Sequence, residues 1–404
     1  MDANELLSPK WRDDPYPLYA ALREAGPVHY FSSLDAWVLT RHGDIAAALR
    51  DGRLSNRRGT AAFFNVAPNL QEATAPFRAS LKLWALFRDP PDHTRLRGLL
   101  AKAFAPALVE TMRGRIERII DELLEEPQRR GSFEVVSELA YPLPAIVIAE
   151  TIGAPRADRD LWKRWADDLV TLLAPGIKNP QMMERVLKSW HEMDAYLADL
   201  IKERRKAPGH DLLDALLSAE EAGSLLSEEE VRATLALLLF AGHETTMNLI
   251  SLGVLALLRN PCALEALRDD PSLIPGAIEE MLRYDAPVQL SVRLCGEDLS
   301  LCGQPMKKGD RLMLLLASGN RDPQQFREPD RFDVRRRDGR NLAFGQGIHF
   351  CLGAGLARLE AQLCFKALLS RFPSLRLSPE ADSAPVRFGE NLAFRCPTRL
   401  SVVA

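Results

Sequence analysis

One cysteine sits where thiolate chemistry is favoured. The run Phe344-Gly345-Gln346-Gly347-Ile348-His349-Phe350-Cys351-Leu352-Gly353-Ala354-Gly355 surrounds Cys351 with four glycines. Glycine accepts positive φ and lets the backbone approach a flat ligand closely, so Gly345, Gly347 and Gly353 are expected to shape a loop beneath such a ligand's face. From Ala354 the pattern turns helical, with Leu356, Leu359 and Leu363 on one side. Cys351 then lies just ahead of a helix N-terminus, where free N–H groups and the helix dipole stabilise a thiolate, a good ligand for iron. The other cysteines, Cys262, Cys295, Cys302, Cys364 and Cys396, are scattered and form no Cys-x-x-Cys pair. They are expected to be reduced, small buried hydrophobes.

A second cluster interrupts a long apolar stretch. Residues 235–241 are apolar, Gly242-His243-Glu244-Thr245-Thr246 intervenes, and 249–258 is again mostly apolar. A carboxylate beside a hydroxyl in a partly dry groove is what proton delivery to a bound oxygen species requires. The ordinary alternative is that these side chains simply find hydrogen-bond partners in the core. Gly242 and the two threonines point to a kink or a widened groove, and a charge at mid-length argues against a membrane span.

These side chains must be carried by a helix. Ser227-Glu228-Glu229-Glu230 forms a capping box with acids at the positive end of the dipole, and the helical pattern continues to about Asn260. About 32 residues at 1.5 Å each make a rod of about 48 Å, long enough to pass through the core. Further helices are expected over 17–25, 105–126, 156–173 and 182–205, and strands over 36–40, 311–316 and 391–403. The fold class is therefore mainly α with a small β portion. Neither repeat nor linker divides the 404 residues, so one domain over 1–404 is expected.

Composition narrows the partners. With 47% hydrophobic and 26% charged residues the chain is an ordinary globular one, able to enclose a bulky group. A net charge of -3 and the lack of aromatic-basic repeats argue against nucleic acid. Residues 1–12 include Asp2, Glu5 and Lys10 and hold no signal or anchor segment, so a cytoplasmic protein without a membrane partner is expected.

Extended to Arg358, the cysteine run resembles the haem-binding loop of cytochrome P450 enzymes, Phe-Gly-x-Gly-x-His-x-Cys-x-Gly-x-x-Leu-Ala-Arg, at every fixed position. The resemblance implies the fold of that family, with a long central helix over haem b (iron protoporphyrin IX). It also implies O2 as co-substrate, Cys351 as the axial iron ligand and, by thiolate electron donation, oxygen activation rather than storage. Phe344, Gly345 and Gly353 would touch the cofactor. His93 and Arg97 in Asp89-Pro90-Pro91-Asp92-His93-Thr94-Arg95-Leu96-Arg97, with Arg293 and His349, match the family's contacts to the two haem propionates. Glu244 and Thr245 match its acid–alcohol pair for proton delivery; His243 is left to packing or surface.

Glu280-Met281-Leu282-Arg283 matches the family's Glu-x-x-Arg pair, which locks to a basic residue of the following irregular segment and supports the cysteine loop. That third partner is expected to be Arg331 or Arg335. Leu237, Phe240, Ala241, Gln289 and Leu392 are candidate substrate-pocket residues, although core packing would select the same apolar types. Asn341 and Gly319 depart from the family's usual histidine and alanine. The resemblance implies hydroxylation or epoxidation of an apolar or amphipathic small molecule, possible in secondary metabolism. No dinucleotide fingerprint is present, so electrons are expected from separate proteins, and the resemblance implies a ferredoxin or flavodoxin with its NAD(P)H reductase. Arg95, Lys102 and Arg358 are candidates for docking that donor. A peroxide-driven oxygenase and a haem sensor or carrier are the rivals, and loops 61–86 and 174–183 are expected to set the substrate.

Overall fold

Alternation along two neighbouring strands organises the β portion. Ala36 and Val38 enter one apolar cluster with Tyr16, Leu18, Tyr19 and Met313, whereas Trp37 and Leu39 pack with a second that holds Ile45, Leu312 and Leu314. This two-residue period buries both faces of the sheet. Strand Ala36–Leu39 pairs antiparallel with Val28–Phe31 and parallel with Arg311–Leu314, which pairs antiparallel with Ser291–Cys295. A smaller sheet joins Arg376–Leu377, Ser401–Val403 and Ser132–Glu134.

The computed structural model describes residues 8–57, 72, 74–170, 180–209, 211–218, 220–221 and 224–403. Contacts divide the chain into two units, one of residues 1–54, 113–143 and 245–404, the other of residues 55–112 and 144–244. The first unit contains both sheets just described and the helices Arg113–Arg130, Ile274–Tyr284 and Ala354–Arg371. A Cβ at Gly253 would lie 2.6 Å from Phe365 Cζ and 2.7 Å from Met281 Sδ, so glycine is what lets the backbone approach these two helices.

The second unit is helical. Trp162, Trp165 and Tyr196 form mutual edge-on contacts with centroids 5.1–5.8 Å apart, holding helix Arg159–Val170 on helix Pro180–Lys206. Arg204 then ties the end of the latter to Asp214 at 2.7 Å.

The long helix spans Glu228–Leu258, 31 residues or about 46 Å, and contributes to both units. The capping box forms as expected: Ser227 N donates to Glu230 Oε2 at 2.9 Å, and Glu230 N donates to Ser227 Oγ at 3.2 Å. The helix continues unbroken through Gly242. It is long and apolar enough to cross a membrane, but 67% of its most apolar window is buried inside the protein.

Several expected bounds change. The helix over 105–126 is two helices, Pro106–Thr111 and Arg113–Arg130. The one over 156–173 opens as a 3-10 turn at Arg156–Asp158 and continues as Arg159–Val170, while 171–173 lie outside the described residues. The strand over 311–316 ends at Leu314, where the chain turns into the helix Leu316–Gly319. Over 391–403 only Ser401–Val403 is a strand, because the preceding stretch makes isolated bridges rather than a ladder.

Candidate active site

The cysteine loop is fixed by its own backbone. Cys351 N donates to Phe344 O at 2.9 Å, closing the run of residues between them. Gly345 and Gly347 take φ of 68° and 72°, left-handed values that favour glycine, and a Cβ on Gly347 would sit 2.7 Å from Leu49 O. Gly353 is different. Its φ is -81°, and it serves as N-cap of the helix Ala354–Arg371, so backbone handedness does not require glycine there. Cys351 is half-buried three residues ahead of that helix. Arg358 lies over the Phe344 ring at 4.5 Å and pairs with Glu279 at 2.6 Å.

Behind the loop, Glu280 and Arg283 are almost fully buried and meet at 2.7 Å, rather than forming the surface pair such spacing usually makes. Arg283 also donates to the backbone oxygens of Asn320, Pro329 and Arg331. The third partner is Arg336, whose Nε lies 3.1 Å from Glu280 Oε2. Arg331 points to Glu328 and Arg335 is exposed, so both sequence candidates are corrected. The cause is local: Arg336 N donates to Asp333 O, a turn that carries Arg336 rather than its neighbour back to Glu280. Asn341, the departure from the family pattern, donates to Glu279 Oε2 at 3.0 Å.

The propionate candidates fall in both units. In the first, Arg293 is buried and donates to Ser291 Oγ at 2.8 Å and Val292 O at 3.0 Å, while His349 is half-buried in the turn Gly347–His349. In the second, His93 is buried and Arg97 half-buried on the helix Asp92–Ala103. Burial and then the Arg97 charge push the His93 imidazolium down. Two such groups side by side suit an anionic partner.

Glu244 is half-buried, and its Oε2 is buried with no hydrogen-bond partner among the described residues. Burial, and secondarily the nearby carboxylate of Asp167, raise its pKa to about 7. Thr245 follows, half-buried; His243 is buried, which settles it as packing rather than surface. Asp167, exposed on the helix Arg159–Val170, had no motif to mark it in the sequence.

Of the pocket candidates, Leu237 and Ala241 are incompletely covered and Phe240 is buried against Trp84. Leu392 packs beside the Tyr16 cluster. Gln289 is a correction. It is buried, accepts from Tyr19 O–H at 3.2 Å and donates to Ala286 O at 2.7 Å, so its amide is committed to the core. Loop residues 61–71 and 174–179 lie outside the described residues.

Two further expectations change. Cys295 and Cys364 are buried as supposed, but Cys262 and Cys302 are exposed and Cys396 is half-buried. Of the basic docking candidates, Arg95 is paired with Glu230 and Arg358 with Glu279, and Lys102 is exposed.

Comparison with known proteins places this geometry. The family model described as Cytochrome P450 matches residues 67–398. Cytochrome P450 107B1 of Saccharopolyspora erythraea is 43% identical over 379 residues, covering 93% of this chain and 92% of its own. Vitamin D(3) 25-hydroxylase of Pseudonocardia autotrophica is 39% identical over 96% of this chain and 93% of its own. The solved structure of P450BioI in complex with hexadec-9Z-enoic acid ligated acyl carrier protein is similar at a TM-score of 0.89 and 36% identity, over 98% of both chains.

Proposed function

The chain belongs to the cytochrome P450 family and is a haem-b monooxygenase of small organic molecules, and from that premise we propose that the Cys351 thiolate would hold the haem iron. The observation that carries this assignment is the closed loop from Phe344 to Cys351, with left-handed Gly345 and Gly347 presenting a half-buried sulfur ahead of a helix N-terminus. When bound, haem b with O2 and two electrons supplies insertion of one oxygen atom into the substrate, the other leaving as water.

The donor set fits that group. As the family match implies, Arg293, His349, His93 and Arg97 would hold the two propionates, and a carboxylate beside His93 would offset the burial and the Arg97 repulsion that depress its imidazolium. Glu280, Arg283 and Arg336 hold the backbone behind the cysteine loop rather than taking part in chemistry. Glu244, with a pKa of about 7, exchanges a proton readily at neutral pH, and its unpartnered Oε2 can present that proton to an incoming group. Thr245, next on the helix, orients and relays it.

Leu237, Phe240 and Ala241 line the substrate site, which takes an apolar or amphipathic molecule. Electrons come from a separate ferredoxin or flavodoxin served by an NAD(P)H reductase, and the protein works in the cytoplasm. The pairing of Arg95 and Arg358 with carboxylates leaves donor docking to groups other than a simple cluster of free cations.

The test is isotopic. With ferredoxin, reductase and 18O-labelled O2, one labelled atom should enter the product and the second should appear in water. Label arriving only from added 18O-hydrogen peroxide, with none from O2, would overturn the monooxygenase assignment in favour of a peroxide-driven enzyme.

A further inference from the structure

The arginine that ends the cysteine motif is committed twice. Arg358, one turn into the helix Ala354–Arg371, holds its guanidinium 4.5 Å from the centre of the Phe344 ring. The same group grips Glu279, on the helix Ile274–Tyr284, through both carboxylate oxygens: Nε donates to Oε1 at 2.6 Å and Nη2 to Oε2 at 3.2 Å.

Asn341 completes the arrangement. Its Nδ2 donates to Glu279 Oε2 at 3.0 Å and to Glu279 O at 3.3 Å, while its Oδ1 accepts from Ala343 N at 3.1 Å. Phe344 follows directly, meets Phe350 edge-on at 6.3 Å, and closes the loop by accepting from Cys351 N. The departure at Asn341 is thus tied, through Glu279 and Arg358, to the ring that shares a loop with Cys351.

An ion pair at the surface usually contributes little, because long side chains wander and water screens them. The Arg358 and Glu279 side chains are 31% and 42% exposed, but a two-point fork, an aromatic face and an amide fix them, and the face on the ring is protein rather than water. The charge also stays close to the sulfur, since the four residues from Ala354 to Arg358 advance only about 6 Å along the helix. One-electron reduction adds a negative charge to a thiolate-bound iron. A fixed cation nearby favours the reduced state, and a fixed anion favours the oxidised one.

We propose that Arg358 and Glu279 set the reduction potential of the haem as an opposed charge pair, the guanidinium over Phe344 raising it and the carboxylate lowering it. Neither group touches the cofactor, and Glu279 and Asn341 are positioning residues for the guanidinium. The inference rests on thiolate ligation by Cys351 and gives the arginine of the motif an electrostatic role toward the iron.

The experiment measures midpoint potentials of the substrate-free, haem-loaded protein by spectroelectrochemistry at low ionic strength, where screening is least. Arg358→Gln should lower the potential, Glu279→Gln should raise it, and the double variant should lie between them. Arg358→Lys keeps the charge and should stay closer to the wild type than Arg358→Gln. A pair that only propped the loop would give shifts of one sign in both single variants, because each breaks the same contact. Shifts of one sign, or no shift in either variant, overturn the inference. Should Arg358→Gln fail to load haem, Glu279→Gln decides alone: a potential at or below that of the wild type refutes the proposal.

A second measurement reads the sulfur rather than the electron. In the ferrous carbon monoxide complex, stronger thiolate donation lowers the C–O stretching frequency, so Arg358→Gln should lower it and Glu279→Gln should raise it. Frequencies that stay at the wild-type value in both variants count against the pair. A thiolate-type carbon monoxide spectrum in the wild type separates these failures from failure of the ligation assignment, in which that spectrum is absent from the start.

Discussion

Arg336 reaches Glu280 with its Nε 3.1 Å from Oε2, and both side chains are more than nine-tenths buried. Glu280 thus stands between two guanidiniums, since Arg283 meets it at 2.7 Å from the same helix, and it also accepts from Asp333 N at 2.8 Å. Through this carboxylate the irregular segment 328–338 is pinned to helix Ile274–Tyr284.

Removing one member should therefore be costly. Arg336→Ala is expected to lower stability by about 3 kcal/mol, the scale for breaking a buried ion pair. Arg331→Ala and Arg335→Ala, both at exposed positions, should each stay within about 0.5 kcal/mol. Thermal melts of the three variants check this; equal losses in all three would contradict the Arg336 assignment.

Glu244 should leave its mark on the pH profile. As a proton donor with a pKa of about 7 it is charged above that value, so product formation per electron consumed should fall as pH rises through about 7. Asp167 is one of the two causes that raise that pKa, so Asp167→Asn should move the falling limb to lower pH. Glu244→Gln should reduce coupled turnover by about 100-fold while leaving haem content unchanged. A profile unmoved by Asp167→Asn would detach Glu244 from the titration.

Glu360 predicts a pH dependence of stability. It is 2% exposed on the helix Ala354–Arg371, and burial alone raises its pKa from 4.5 to about 8. Between those values the folded protein keeps a proton that the unfolded chain releases, so this carboxyl's contribution to stability is fully present at low pH and declines as pH rises to about 8. Glu360→Gln should match the wild type near pH 4.5 and melt roughly a few degrees higher near pH 8. Parallel melting curves across that range would contradict it.

Gly253→Ala should destabilise by about 1–3 kcal/mol, because the added methyl overpacks Phe365 and Met281. Pairing it with Phe365→Leu should recover part of the loss in denaturant titrations. Additive losses in the double variant would show that the crowding lies elsewhere.

What the sequence made legible was local. The capping box at Ser227 and Glu230 and the glycines flanking Cys351 lie within a few residues of what they control, and both formed as expected, Gly353 excepted. Arg336 was not legible, since the path of an irregular segment, turned at Asp333, selects which arginine returns to Glu280. Gln289 was misplaced for the complementary reason: a polar residue near an expected pocket is not free to line it once Tyr19, distant in sequence, takes its carbonyl oxygen. Trp84 and Asp167 belong to no motif, and only three-dimensional packing brings them beside Phe240 and Glu244.

The central claim is thiolate ligation by Cys351, and the most direct measurement is the absorption spectrum of the dithionite-reduced holoprotein with carbon monoxide, recorded beside Cys351→Ala. The account predicts a strongly red-shifted Soret band in the wild type that is lost in the variant. A histidine-type spectrum in the wild type, or a red-shifted band that survives the substitution, would contradict it.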